Sequence, residues 1–158
     1  MKNKISAIAI ATMVLSPLVV AQSGVVDHLT QRQLVDKVRQ LKQVAASNNG
    51  SASVKIADYP NHFAMLSYRN KTGGGEVHER FADLFYVVQG RAMLITGASV
   101  VDPITVSPGE IRGSAVTPGK EQLLQKGDFV HIPAHVPHQL VLSSRDSFIY
   151  FVIKVQEE

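Results

Sequence analysis

The sequence predicts an all-β sandwich or barrel preceded by one amphipathic helix, on three observations. Helical periodicity is confined to residues 26–46. From residue 54 onward, short runs rich in Val, Ile, Phe and Tyr recur. Turn residues separate those runs at short intervals. The chain has 158 residues and no cysteine, a length that suits one domain built on a single core.

Residues 1–21 are expected to be a secretory signal peptide. Lys2 and Lys4 precede Ile5 to Val20, a run interrupted only by Ser6, Thr12, Ser16 and Pro17. Val19-Val20-Ala21 then supplies small or branched residues at the two positions a signal peptidase reads. A membrane anchor would need about 20 apolar residues, more than this run offers. The mature chain is therefore expected to be periplasmic or secreted, with no stable membrane insertion. Removing Lys2 and Lys4 changes 16 basic against 13 acidic residues to 14 against 13, so the net charge falls from +3 to +1. No Lys/Arg run tracks a phosphate backbone, so no nucleic-acid partner is expected. Without cysteine there is no disulfide and no thiolate to ligate a metal or attack a substrate.

Residues 22–53 are expected to form the helix and a linker. Leu34, Val38, Leu41 and Ala45 recur at helical spacing over residues 26–46. Thr30 with Gln33 fits a capping box, each side chain serving the other's backbone amide. "SNNGSAS", residues 47–53, is a polar, Gly-containing break. The helix is expected to cover a face of the domain or an edge strand, or to join a dimer contact.

The barrel domain is expected over residues 54–158. Strands are predicted near 54–57, 62–69, 76–79, 83–89, 91–96, 121–124, 128–132, 138–142 and 148–155. Gly73-Gly74-Gly75, Gln89-Gly90, Pro108-Gly109, Pro118-Gly119, Lys126-Gly127 and residues 143–146 mark turns. The last strand is apolar on both faces, so it should be buried on both or covered by the helix. Segment 97–120 is poor in pattern and reads as a long loop, a lid or a ligand wall.

"GGGEVHERFADLFYVVQG", residues 73–90, crowds Glu76, His78, Glu79, Arg80 and Asp83 before an apolar run. Glu76 and His78 are two apart, so on a strand they share a face. Asp83 opens the next strand, and a hairpin-like return could bring it beside them. His138, distant in sequence, could complete the group from an opposite sheet. Solvated charges on a strand edge would explain the crowding. So would a divalent cation, which removes the mutual repulsion of two inward carboxylates and the cost of burying them. Imidazole and carboxylate together suit Fe, Mn, Zn or Ni.

At these residues the chain resembles the cupin superfamily, whose motifs are G(x)5HxH(x)3–4E(x)6G and G(x)5PxG(x)2H(x)3N. Here Glu76-x-His78-x4-Asp83-x6-Gly90 parallels the first. Gly127-x5-Pro133-x-His135-x2-His138-x3-Leu142 parallels the second. Glu76 stands for the first histidine, Asp83 for glutamate, His135 for glycine and Leu142 for asparagine. The resemblance covers roughly residues 54–155. It implies a double-stranded β-helix (jelly-roll) barrel holding a divalent metal through Glu76, His78, Asp83 and His138.

Two further residues are candidate ligand contacts, His131 and Tyr86. The strand period of two does not say which of Phe85 and Tyr86 faces inward, nor which way His131 points. His135, between Pro133 and Pro137, is expected at the surface or mouth. His28 and His62 are expected to be structural or exposed. Glu79 and Arg80 are expected to form a solvated pair; Glu110 and Arg112 could gate the barrel mouth, but solvated loop charges are the expected reading. Three functional readings remain. One is a metal-dependent enzyme, an oxygenase or isomerase, acting on a small, partly apolar molecule. Another is a non-catalytic periplasmic module binding metal or a small molecule. The third is a barrel without metal, kept for structure or assembly. A homodimer is expected under all three.

Overall fold

A computed structural model describes residues 26–157; the leader expected over residues 1–21 lies outside them. One helix, α1 (Gln31–Ser47), precedes the strands. It starts five residues later than the periodicity suggested, because Thr30 is its N-cap. The Thr30 side chain accepts from the Gln33 amide and Gln33 accepts from the Thr30 amide, which ends the helix at that position. No helix among the described residues is long and apolar enough to cross a membrane.

The strands that follow are β1 (Ser51–Asp58), β2 (His62–Arg69), β3 (Gly75–His78), β4 (Phe81–Thr96), β5 (Val100–Val101) and β6 (Ile104–Ser107). Then come β7 (Glu110–Gly113), β8 (Ala115–Val116), β9 (Lys120–Gln125), β10 (Phe129–Ile132), β11 (His138–Val141) and β12 (Phe148–Gln156). β1 begins inside the stretch read as linker. All pairings are antiparallel. One wall runs β1-β2-β12-β4-β10. The other runs β9-β4-β11-β3-β7-β6. Together they form the curled antiparallel barrel of an all-β, double-stranded β-helix (jelly-roll) fold with one N-terminal helix.

β4 belongs to both walls, and this corrects the sequence reading of two strands, 83–89 and 91–96. Its first half pairs with β12 and β10, its second with β9 and β11. The bend falls at Gly90, φ +84°, where a Cβ would run into the carbonyl of Ser147. Only glycine fits a backbone that turns so sharply against another chain segment. The residues that signalled a turn therefore bend one continuous strand from wall to wall.

Segment 97–120 is also corrected. It is not a loop but four short strands, β5 to β8. Only Val100 of β5 and Val116 of β8 are buried in them, and β6 is exposed along its length, so no apolar alternation announces them. The Pro108-Gly109 turn joins β6 to β7, with Gly109 at φ +82° as a type II turn requires.

Two cores lie on opposite faces of the first wall. Inside the barrel, Phe85, Val87, Leu94, Leu140, Phe148, Tyr150 and Val152 are buried together. Outside it, Leu41 and Ala45 of α1 pack on Ala52, Leu66, Tyr68 and Ile149, with Phe151 against them. β12 serves both, which is why its two faces are apolar.

Candidate metal centre

Strand register assembles the polar centre of the barrel. His138 of β11 is the cross-strand partner of Glu76 in β3, and Glu76 is the partner of Arg112 in β7. His78 is the partner of Glu110 two residues further along the same pair, on the same face. Directly opposed residues project on one face of a sheet. From the other wall, Asp83 of β4 is the partner of Lys154 in β12. Two ladders of ionisable side chains thus face each other across the interior.

Their heads converge. His78 Nε2 lies 3.4 Å from Asp83 Oδ2 and 3.9 Å from Glu76 Oε2. His138 Nε2 lies 3.6 Å from Asp83 Oδ2 and 3.5 Å from Glu76 Oε1. The side chains of His78, His138 and Asp83 are 2%, 1% and 3% exposed, so water does not solvate them freely. Ligand atoms of Glu76, His78 and His138 all lie within 4.8 Å of one another, a grouping that could hold a metal ion.

The hydrogen bonds of the two imidazoles decide what the cluster offers. His138 Nδ1 lies 2.9 Å from the carbonyl of Val136. A carbonyl only accepts, so Nδ1 carries the proton. His78 Nδ1 lies 2.7 Å from Glu110 Oε2, and an ionised carboxylate likewise only accepts. In each neutral ring Nε2 is then the bare lone pair. Both Nε2 atoms are buried and lack a hydrogen-bond partner. Leaving a buried polar atom unsatisfied costs about 1–3 kcal/mol. Two such atoms aimed at two carboxylates fit a cation. Donors bonded to one ion at about 2.0–2.2 Å stand roughly 3.0–3.5 Å apart, close to the separations seen.

Asp83 is shared. Its Oδ1 lies 2.5 Å from Lys154 Nζ, an ionic contact. Burial opposes ionisation of Asp83. The Lys154 ammonium beside it favours the ionised form, and the carboxyl is held well below its usual range. Burial pushes the Lys154 ammonium down, while Asp83 raises it.

Of the residues carried over from the resemblance, Glu76, His78 and His138 form the group that could hold an ion, and Asp83 stands beside both imidazoles but outside that group, on Lys154. His131 and Tyr86 are not among them. Tyr86 is 48% exposed on the outer face of the wall, and Phe85 is the inward neighbour. His131, the partner of Leu84 in β10, is also on the outside, 53% exposed beside Glu157. Neither lines the interior.

Glu110 and Arg112 correct the sequence reading in the opposite sense. They are not free loop charges. Glu110 fixes the His78 ring, and Arg112 pairs with Glu76 and lies 3.4 Å from Glu110 Oε2. The pattern-poor segment hid the strand that carries them. Lys154 was missed as well, although a period of two from Tyr150 and Val152 points it inward. His135 is exposed, as expected, at φ +65°. Its amide donates to the His78 carbonyl at 2.7 Å. Histidine thus keeps the left-handed backbone of the position where the second motif has glycine.

Neither a protein-family model nor a curated protein matches the sequence. Solved structures do match, at low identity. KdgF from Halomonas sp. is 20% identical over 69% of this chain and 82% of its own, with a TM-score of 0.50. The polyketide cyclase RemF from Streptomyces resistomycificus is 14% identical over 69% and 68%, at 0.51. A conserved protein with a double-stranded β-helix domain from Klebsiella pneumoniae is 14% identical over 68% and 78%, also at 0.51. The fold is that of cupin-type barrels.

If Glu110 holds the His78 tautomer, Glu110→Gln should weaken divalent metal binding by about 10–100-fold while leaving the fold intact. Calorimetric titration with Zn2+ or Mn2+, beside circular dichroism, checks it. An unchanged affinity would leave Glu110 without that role.

Proposed function

We propose that the protein is an exported cupin-type barrel that holds one divalent metal ion through Glu76, His78, Asp83 and His138 and binds a small organic molecule beside it. The supporting observation is the pair of buried, unpartnered Nε2 atoms of His78 and His138, each ring locked by a proton on Nδ1. Two imidazoles with two carboxylates suit Fe, Mn, Zn or Ni. Such an ion would supply Lewis acidity and, as Fe or Mn, redox chemistry.

The chain's own residues do the rest. Glu110 and the Val136 carbonyl orient the two rings. Phe85, Tyr150 and Val152 exclude water behind them. Lys154 holds Asp83 ionised and offers a buried ammonium next to it. Ionisable groups beyond the ligands favour catalysis over simple binding, as an isomerase or oxygenase of a small molecule. The polyketide cyclase among the similar structures supports an enzymatic role. A non-catalytic metal- or small-molecule-binding module is the second reading, favoured by the apolar packing that fills the barrel behind the cluster.

Purification from the exported fraction without a nickel-binding tag should yield close to one metal per chain. Glu76→Gln and His138→Ala should each lower that content severely. Full occupancy in both variants contradicts the ligand set. The exported chain should begin near Gln22 by N-terminal sequencing and sediment as a homodimer. Tyr86 and its cross-strand partner Phe129, both exposed on the outer face, are the proposed contact. A start at Met1, or a monomer, contradicts these parts.

A further inference from the structure

The polar centre has one open side, and its chemistry is cationic. Side-chain exposure rises from 1–3% at His138, His78 and Asp83 to 16% at Glu76, 26% at Glu110 and 45% at Arg112. A molecule entering from solvent therefore meets the Arg112 guanidinium first. A second guanidinium belongs to the same interior. Arg69 lies on the face of β2 that carries Met65, which packs on the barrel core, and buried Ser67. It is the cross-strand partner of Phe148, and its guanidinium covers Gly73, where a Cβ would strike it. Arg69 Nε is buried without a hydrogen-bond partner, and Arg69 makes no ion pair among the described residues.

Charge bookkeeping points the same way. Asp83, Glu76 and Glu110 are matched by Lys154, Arg112 and Arg69. A divalent ion in the cluster adds two positive charges that no described side chain offsets. It also shares Glu76 with Arg112, whose remaining carboxylate contact is the 3.4 Å approach to Glu110. Arg69 has no carboxylate partner among the described residues and Arg112 would share its own with the ion, so an anion is the missing counter-charge, and a carboxylate matches the guanidinium fork.

We propose that the ligand of this site is a small carboxylate, taken at the mouth by Arg112 with Arg69 behind it. This rests on the reading of the cluster as a metal site and names the class of molecule that site selects.

Calorimetric titration of the metal-loaded protein with propionate and with propionamide, matched in shape and different in charge, tests it. Propionate should bind roughly tenfold or more tightly than the amide. Arg69→Gln and Arg112→Gln should each remove most of that preference, with metal content measured alongside. Arg69→Lys should restore part of it. Equal behaviour of the two probes, including no binding of either, overturns the proposal, as does a preference that survives both substitutions. A preference for propionate in protein that holds no metal would keep the anion site and remove the metal reading, so the two fail separately.

Discussion

The protonation state of two buried histidines governs this barrel's chemistry. Each ring gives its Nδ1 proton to a fixed acceptor, the Glu110 carboxylate for His78 and the Val136 carbonyl for His138. Each Nε2 is thereby left as a bare lone pair at the same point in a dry interior. Such atoms are expensive to leave alone and suited to a cation. The carboxylates of Glu76 and Asp83 lie 3.4–3.9 Å from the two Nε2 atoms, Glu76 paired with Arg112 and Asp83 with Lys154.

Backbone register, not side-chain flexibility, delivers these groups. The rows His138–Glu76–Arg112 and His78–Glu110 are set by pairing among β11, β3 and β7. Asp83–Lys154 is set by pairing between β4 and β12. β4 ties the two walls together through its bend at Gly90. A slip of one residue in any of these pairs would turn the ionisable heads to the opposite face. The apolar core below them, Phe85, Phe148, Tyr150 and Val152, resists such a slip because it would also be turned outward.

Much of this was legible in the residues. The turn signals and β-rich runs give the fold class, and the two motif spacings bring Glu76, His78, Asp83 and His138 into one group. The capping box at Thr30 marks where the helix starts, more accurately than its apolar period does. What stayed hidden had physical causes. β5 to β8 are short and poorly buried, so they carry no alternation, and with them Glu110 and Arg112 went unplaced. Tyr86 and Phe85 are neighbours of similar character, and pattern alone does not choose the inward one. The two apolar faces of β12 masked the significance of Lys154, whose burial depends on the acid opposite. The left-handed turn at His135 follows from the Pro133–Pro137 segment, yet histidine there gives no signal as plain as glycine would.

X-ray absorption at the metal edge, on protein loaded with one equivalent of Zn2+ or Mn2+, tests the central claim most directly. Two imidazoles in the coordination shell, bound together with oxygen donors and reduced to one in His138→Ala, are what the fixed tautomers require. A shell of oxygen alone, or one unchanged by that substitution, would contradict the account.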